Sequence, residues 1–152
     1  MRAYLLVFAT LMPLWSYAAG ADEKIRTAYM EVGIAASMLL KPAFGYWYDG
    51  IGVRFSGMYL DKDHQELDVN IGHVICDSKN LQQTINLLTS WVVGSDPGAD
   101  YKYAATGIAY GLNYRGFYVE LGLAVPWRDD LGNLANNPII PIGSWGYIYR
   151  FN

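Results

Sequence analysis

Residues 101–126 read YKYAATGIAYGLNYRGFYVELGLAVP, and a period of two runs through them. Ile108, Tyr110, Leu112 and Tyr114 fall on one side of an extended chain, and Ala105, Gly107, Ala109, Gly111 and Asn113 on the other. Arg115-Gly116 interrupts the pattern. It then resumes with Phe117, Val119, Leu121, Leu123 and Val125 facing away from Tyr118, Glu120, Gly122 and Ala124. Alternation of this kind marks strands, and a two-residue break between two such runs marks a tight hairpin.

The same period extends through the rest of the chain. Ile51, Val53, Phe55 and Tyr59 oppose Arg54, Ser56 and Met58, while Leu67, Val69, Ile71 and Ile75 oppose Asp68, Asn70 and Gly72. The pattern predicts eight strands, at about 26–37, 40–48, 51–60, 65–76, 80–93, 101–114, 117–126 and 142–151. The second is the least well marked, because Pro42 removes a ladder donor. Tight turns are expected at Asp49-Gly50, Asp77-Ser78-Lys79 and Arg115-Gly116. Longer loops are expected at DKDH (61–64), GSDPGAD (94–100) and WRDDLGNLANNPIIP (127–141). Short turns alternating with longer loops are the habit of an up-and-down barrel with unlike ends.

Composition narrows the class. The 152 residues are 53% apolar and 15% aromatic, with thirteen Tyr and sixteen Gly, yet only 16% are charged. A typical soluble domain carries roughly 25% charged residues. The net charge of −3 and the lack of a basic stripe argue against nucleic acid as a partner. The single cysteine, Cys76, excludes an internal disulfide, and no Cys/His spacing suggests a metal site or cofactor. Residues 1–21 have a basic start at Arg2, an apolar stretch to about Trp15 and small residues ending at Ala21. This is the tripartite form of a secretory signal, with cleavage expected after Ala21 or nearby at Ala18 or Ala19. The mature domain is then 22–152.

One face of the strands is broad and apolar. The other is built of Gly, Ala, Ser, Asn and single charges, the reverse of a soluble barrel's pattern. An all-β, eight-stranded antiparallel up-and-down transmembrane barrel satisfies it, with the apolar face toward lipid. Glu31, Arg54, Asp68, Glu120 and Arg150 then point into the lumen as a charge network. Arg54 is expected to meet Asp68 on the neighbouring strand, and Arg150 to meet Glu120 and Glu31, since charges buried there need partners. Tyr46, Trp47 and Tyr48, with Tyr114 and Phe117, are expected in an aromatic girdle.

The chain closes with Ser144-Trp145-Gly146-Tyr147-Ile148-Tyr149-Arg150-Phe151. Ser144, Gly146, Tyr149 and Phe151 resemble the C-terminal signal by which outer-membrane barrels are recognised for assembly, although Asn152 follows the usual terminal aromatic. With the exported N-terminus and eight strands, the mature chain resembles the small OmpA/OmpX-type barrels. That resemblance implies the bacterial outer membrane as location, its lipids and lipopolysaccharide as surroundings, the barrel-assembly machinery as partner, and a monomer.

Some small barrels of this class modify lipid A, and their motifs are absent or misplaced here. His64 is followed by Gln65-Glu66 and His73 by Val74-Ile75, so no His-x-Ser pair exists. Asp77-Ser78 falls in a short turn, where its simplest work is local hydrogen bonding. His64 and the acids of its loop read as solvated, and His73 as lying on the apolar face near a strand end. The expectation is a barrel without enzymatic activity and without an open pore, with a structural or surface-interaction role. A lipid-modifying enzyme and a soluble lipocalin-like carrier are the alternatives.

Overall fold

In the computed structural model, residues 28–78, 80–96, 99–129 and 138–151 are described. The expected signal peptide at 1–21 lies outside them, as do most of residues 130–139. Eight strands form: β1 (Ala28–Ala36), β2 (Leu40–Tyr48), β3 (Ile51–Asp61), β4 (His64–Asp77), β5 (Leu81–Asp96), β6 (Ala99–Tyr114), β7 (Phe117–Asp129) and β8 (Ile140–Phe151). Each pairs antiparallel with its sequence neighbours, and β1 pairs with β8 to close the barrel. Closure leaves no sheet edge exposed.

The hairpin geometry follows from the turn residues. Asp49 and Gly50 have φ of 48° and 79°, and Arg115 and Gly116 have 53° and 95°. Positive φ at both central positions matches the strand twist in a two-residue hairpin. At Arg115 a non-glycine residue accepts that conformation. The backbone N–H of Gly116 donates to Asn113 Oδ1 at 2.9 Å, and the Arg115 guanidinium lies 5.4 Å from the Tyr114 ring centre.

Two of the connections at the other end are shorter than their composition suggests. The DKDH stretch narrows to a turn at Lys62-Asp63, because Asp61 ends β3 and His64 starts β4. Much of GSDPGAD is strand, with β5 reaching Asp96 and β6 starting at Ala99. Polar residues continue the ladder there because Ser95 pairs with Asp100 and Asp96 with Ala99. Pro42 does sit within β2. It pairs with Ile34 of β1, while pairing with β3 begins one residue later, at Ala43, so it has a strand neighbour on one side only.

The register fixes the barrel's shape. From Glu31 the cross-strand partners run through Gly45, Arg54, Asn70, Leu88, Gly107 and Ala124 to Ile140 on β8. Glu31 itself pairs with Arg150 on that strand, ten residues beyond Ile140. A stagger of ten over eight strands tilts each strand by about 40° and gives a backbone radius of about 8 Å. Side chains fill an interior of that width, and Trp47, Tyr118, Lys41, Gln82, Glu31 and Glu120 are all fully buried in it.

The outer wall is apolar. Met30, Ile34, Phe44, Phe55, Ile71, Leu87, Ile108 and Leu121 are among its exposed side chains. Aromatic rings gather toward its two rims. Tyr46, Tyr48, Tyr114, Phe117, Tyr149 and Phe151 lie toward the short-turn end, and Tyr59, Trp91 and Trp127 toward the opposite end. Trp47 is not part of this belt: it is 1% exposed and points into the lumen, because alternation sends it opposite to Tyr46 and Tyr48. Gly52 of β3 and Gly72 of β4 make room for its indole; a Cβ at Gly72 would lie 2.6 Å from Trp47 Cη2.

Candidate functional site: the charged lumen and the outer rim

The lumen holds three groups of ionisable side chains. Nearest the short turns, Arg150 Nη1 donates to Asp77 Oδ1 at 2.8 Å, with both side chains largely buried. Above this pair Tyr29 stacks on Trp47, their centroids 6.0 Å apart, and Gln82 hydrogen-bonds the Tyr29 hydroxyl.

In the middle, Arg54 donates from Nε and Nη2 to Glu31 Oε2, at 3.0 and 2.8 Å. Its guanidinium lies 4.3 Å from the Tyr118 ring centre and 5.8 Å from that of Trp47. Glu120 Oε2 stands 4.0 Å from Arg54 Nη1. That carboxylate also accepts hydrogen bonds from Asn70, Asn86 and the Tyr118 hydroxyl. Charge-assisted hydrogen bonds of this kind offset the desolvation of buried ions.

Toward the loops, Lys41 Nζ lies 2.5 Å from Glu66 Oε1 and also pairs with Asp68. Lys41 donates to Ser37 Oγ at 2.7 Å, Ser90 Oγ donates to Asp68 at 2.5 Å, and Leu39 N–H donates to Glu66 at 2.9 Å. Ala105, Ala124 and Ile140 pack as an apolar cluster near the same end, with Tyr103 and Ile142 against them.

All five charged residues expected in the lumen are turned inward, but their partners differ from expectation. Arg54 takes Glu31, not Asp68. The residue opposite Arg54 on β4 is Asn70, and the one opposite Asp68 on β3 is Ser56. Arg54 reaches Glu31 over Gly45, which lies between them on β2. Arg150 is the direct cross-strand partner of Glu31 yet pairs with Asp77, and it meets neither Glu31 nor Glu120.

Sequence reasoning missed Lys41, Glu66 and Asp77. Lys41 alternates with Ala43, Gly45 and Trp47, a signal masked by the neighbouring proline. Glu66 falls at the start of the expected strand 65–76, next to the acidic DKDH stretch that hides it, and lies on the same inward face as Asp68. Asp77, expected in a turn, is the last residue of β4, with its side chain buried.

The remaining candidates stand apart from one another. His73 is exposed on the outer wall, Asp77 is bound to Arg150 inside, and Ser78 Oγ accepts a hydrogen bond from Leu81 N–H at 3.0 Å. His64 Nδ1 lies 3.0 Å from Asp61 Oδ1 beside the β3–β4 turn; Asp61 raises the imidazole pKa, and the Asp63 N–H together with the His64 ring lowers that of the Asp61 carboxyl. Among the described residues no cluster of His, Cys, Asp or Glu is arranged to hold a metal ion.

The residues expected to form a C-terminal signal lie on β8, the strand that closes the barrel. Gly146 pairs with Ala35, Tyr149 with Val32 and Phe151 with Met30. Trp145, Tyr147, Tyr149 and Phe151 are 58, 56, 56 and 48% exposed, so every second side chain of β8 points outward. Ser144 falls on the inward set, opposite Glu120. Tyr149 and Phe151 meet edge to face at 4.7 Å. No protein-family model, curated protein or solved structure matches the chain.

Proposed function

We propose that this chain is an integral barrel of the bacterial outer membrane, monomeric and non-enzymatic, with a structural or surface-interaction role and a lumen closed to bulk flow. The observation that carries the proposal is the inverted distribution of side chains. Lys41, Glu31, Arg54 and Glu120 are buried inside, while Ile108, Leu121, Phe55 and their neighbours stand outward and exposed. In water so large an apolar surface would drive association. In a bilayer it faces hydrocarbon, and closure pairs the first strand with the last so that no sheet edge meets it. The two aromatic rims suit the headgroup levels on either side.

The packed lumen favours structure over conduction, because Trp47, Tyr118 and the ion pairs occupy its cross-section. A carrier of apolar ligands would need the opposite lining. The outward aromatics of β8 support insertion through the assembly machinery, with Ser144, Gly146, Tyr149 and Phe151 as the recognised residues. The β7–β8 connection is the best placed segment for surface contacts, since loops carry recognition.

Cell fractionation, followed by electrophoresis of boiled and unboiled samples, tests the reading. The expected result is a band in the outer-membrane fraction that migrates differently once boiled. A soluble band indifferent to heating would overturn the proposal.

A further inference from the structure

At the loop-side rim the outer wall carries a groove of about 220 Å³, lined by Lys62, Gln65, Trp91, Val93, Lys102 and Tyr103. Its origin is a step in strand length. Pairing between β4 and β5 stops at Gln65 and Val93, while β5 and β6 continue together to Asp96 and Ala99. The β5–β6 hairpin therefore rises past the β3–β4 turn, and the groove forms in the angle between them.

Its chemistry is layered. Gln65, Val93 and Lys102 are successive cross-strand partners along one row, and Lys62 sits in the turn beside it. Both lysines are exposed. Toward the middle of the wall lie Trp91 and its partner Leu67, about half exposed, with Leu87 further along. Two cations thus stand above an aromatic ring and an apolar wall. That is the order of groups met by a lipid whose phosphate sits at the membrane surface and whose chains run inward.

We infer that this groove binds the headgroup of a phosphate-bearing anionic lipid, the phosphate between Lys62 and Lys102 and an acyl chain along Trp91 and Leu67; the inference rests on the membrane reading above. The groove is smaller than the roughly 300–1,000 Å³ of pockets that enclose a ligand. It suits a headgroup, with the chains outside. Among the described residues, the acids nearby do not neutralise it. Asp63 lies 4.0 Å from Lys62 in a solvent-exposed pair, which is weak, and Asp61 is engaged by His64 and by the N–H of Asp63. Ammonium groups treat phosphate as a point charge, so headgroups that carry phosphate without net negative charge should bind less well.

The test uses native mass spectrometry of the whole barrel released from vesicles of phosphatidylcholine containing a minor fraction of phosphatidylglycerol. The expected result is retention of one phosphatidylglycerol in preference to phosphatidylcholine. Lys62→Gln/Lys102→Gln should lose that preference at least tenfold, and Trp91→Ala should reduce retention of both lipids. Unchanged heat-shifted mobility shows that each variant still folds. Equal retention of the two lipids, or a double variant like the parent, would overturn the inference and leave the membrane reading intact. Inorganic phosphate displacing the lipid at equal concentration would overturn it too, as a site for the ion and not for the lipid. Failure of the parent protein to float with vesicles would instead remove the membrane reading.

Discussion

Arg54 and Glu31 stand in one cross-strand row, two strands apart, and meet because the residue between them is Gly45 and presents no side chain. A Cβ at Gly45 would stand 2.9 Å from Glu31 Oε2. Removing one partner of a buried pair costs about 3–5 kcal/mol when the other charge is left uncompensated. Arg54→Leu is expected to fall in that range, since it leaves Glu31 and Glu120 facing each other without their shared cation. Glu31→Gln should cost less, because Glu120 lies 4.0 Å from the guanidinium. Urea unfolding of the barrel in vesicles measures both. Equal costs would mean that Glu120 does not share the cation.

Trp47 and Gly52 form a second coupled pair, since the three atoms nearest a Cβ at Gly52 all belong to the Trp47 indole. Trp47→Ala should destabilise by about 3–5 kcal/mol, as large-to-small core changes do. Gly52→Ala, which overpacks the same space, should cost about 1–3 kcal/mol. The two together should cost less than the separate effects combined, because the cavity accepts the added methyl. Additive effects in the same unfolding assay would show that the indole does not depend on the glycine.

What could be read from the sequence was what depends on neighbours along the chain. Strand identity, the faces of β3, β4, β6 and β7, and the Asp49-Gly50 and Arg115-Gly116 turns all follow from period two and turn chemistry. Which charges meet across the lumen depends on a stagger of ten summed around eight strands. No local pattern reveals that sum, so the meeting of Arg150 with Asp77 is not legible in the sequence. Arg54 reaches Glu31 and not the expected Asp68 because the β1–β2 and β2–β3 registers align the two over Gly45. Lys41, Glu66 and Trp47 were hidden for a related reason. Each sits beside residues that suggest something else: a proline, a run of acids and two outward tyrosines. Alternation from a securely placed neighbour, Asp68 for Glu66 and Gly45 for Lys41 and Trp47, is the signal that finds them.

His64 and Asp61 lie beyond Tyr59, at the β3–β4 turn. The aspartate accepts the ring's hydrogen bond and raises the imidazole pKa; the backbone N–H of Asp63 and the His64 ring lower that of the carboxyl. The contribution of His64 is present below the ordinary imidazole value and disappears as pH rises through the raised one. That of Asp61 is present above the ordinary carboxylate value and fades as pH falls through the lowered one. The pair is therefore intact between roughly pH 4 and 6.5. NMR titration of the His64 ring should give a midpoint above the ordinary value, and Asp61→Asn should bring it down. An unmoved midpoint in that variant would remove Asp61 as the cause.

Leu121 and Tyr59 both point outward, but at different depths. Leu121 is near the middle of the apolar wall, with Tyr110 and Gly143 as its cross-strand partners, and Tyr59 is two residues from the end of β3. In a bilayer an arginine at mid-depth costs about 2–4 kcal/mol and one near the interface about 0–1 kcal/mol. Leu121→Arg should therefore destabilise the barrel strongly and Tyr59→Arg hardly at all, as read by urea unfolding in phospholipid vesicles. On a wall bathed in water both arginines would be solvated and neither would cost much. The difference between the two variants, more than either value, distinguishes a wall against hydrocarbon from one against water. If Leu121→Arg proves as harmless as Tyr59→Arg, the outward apolar residues do not face lipid at that depth.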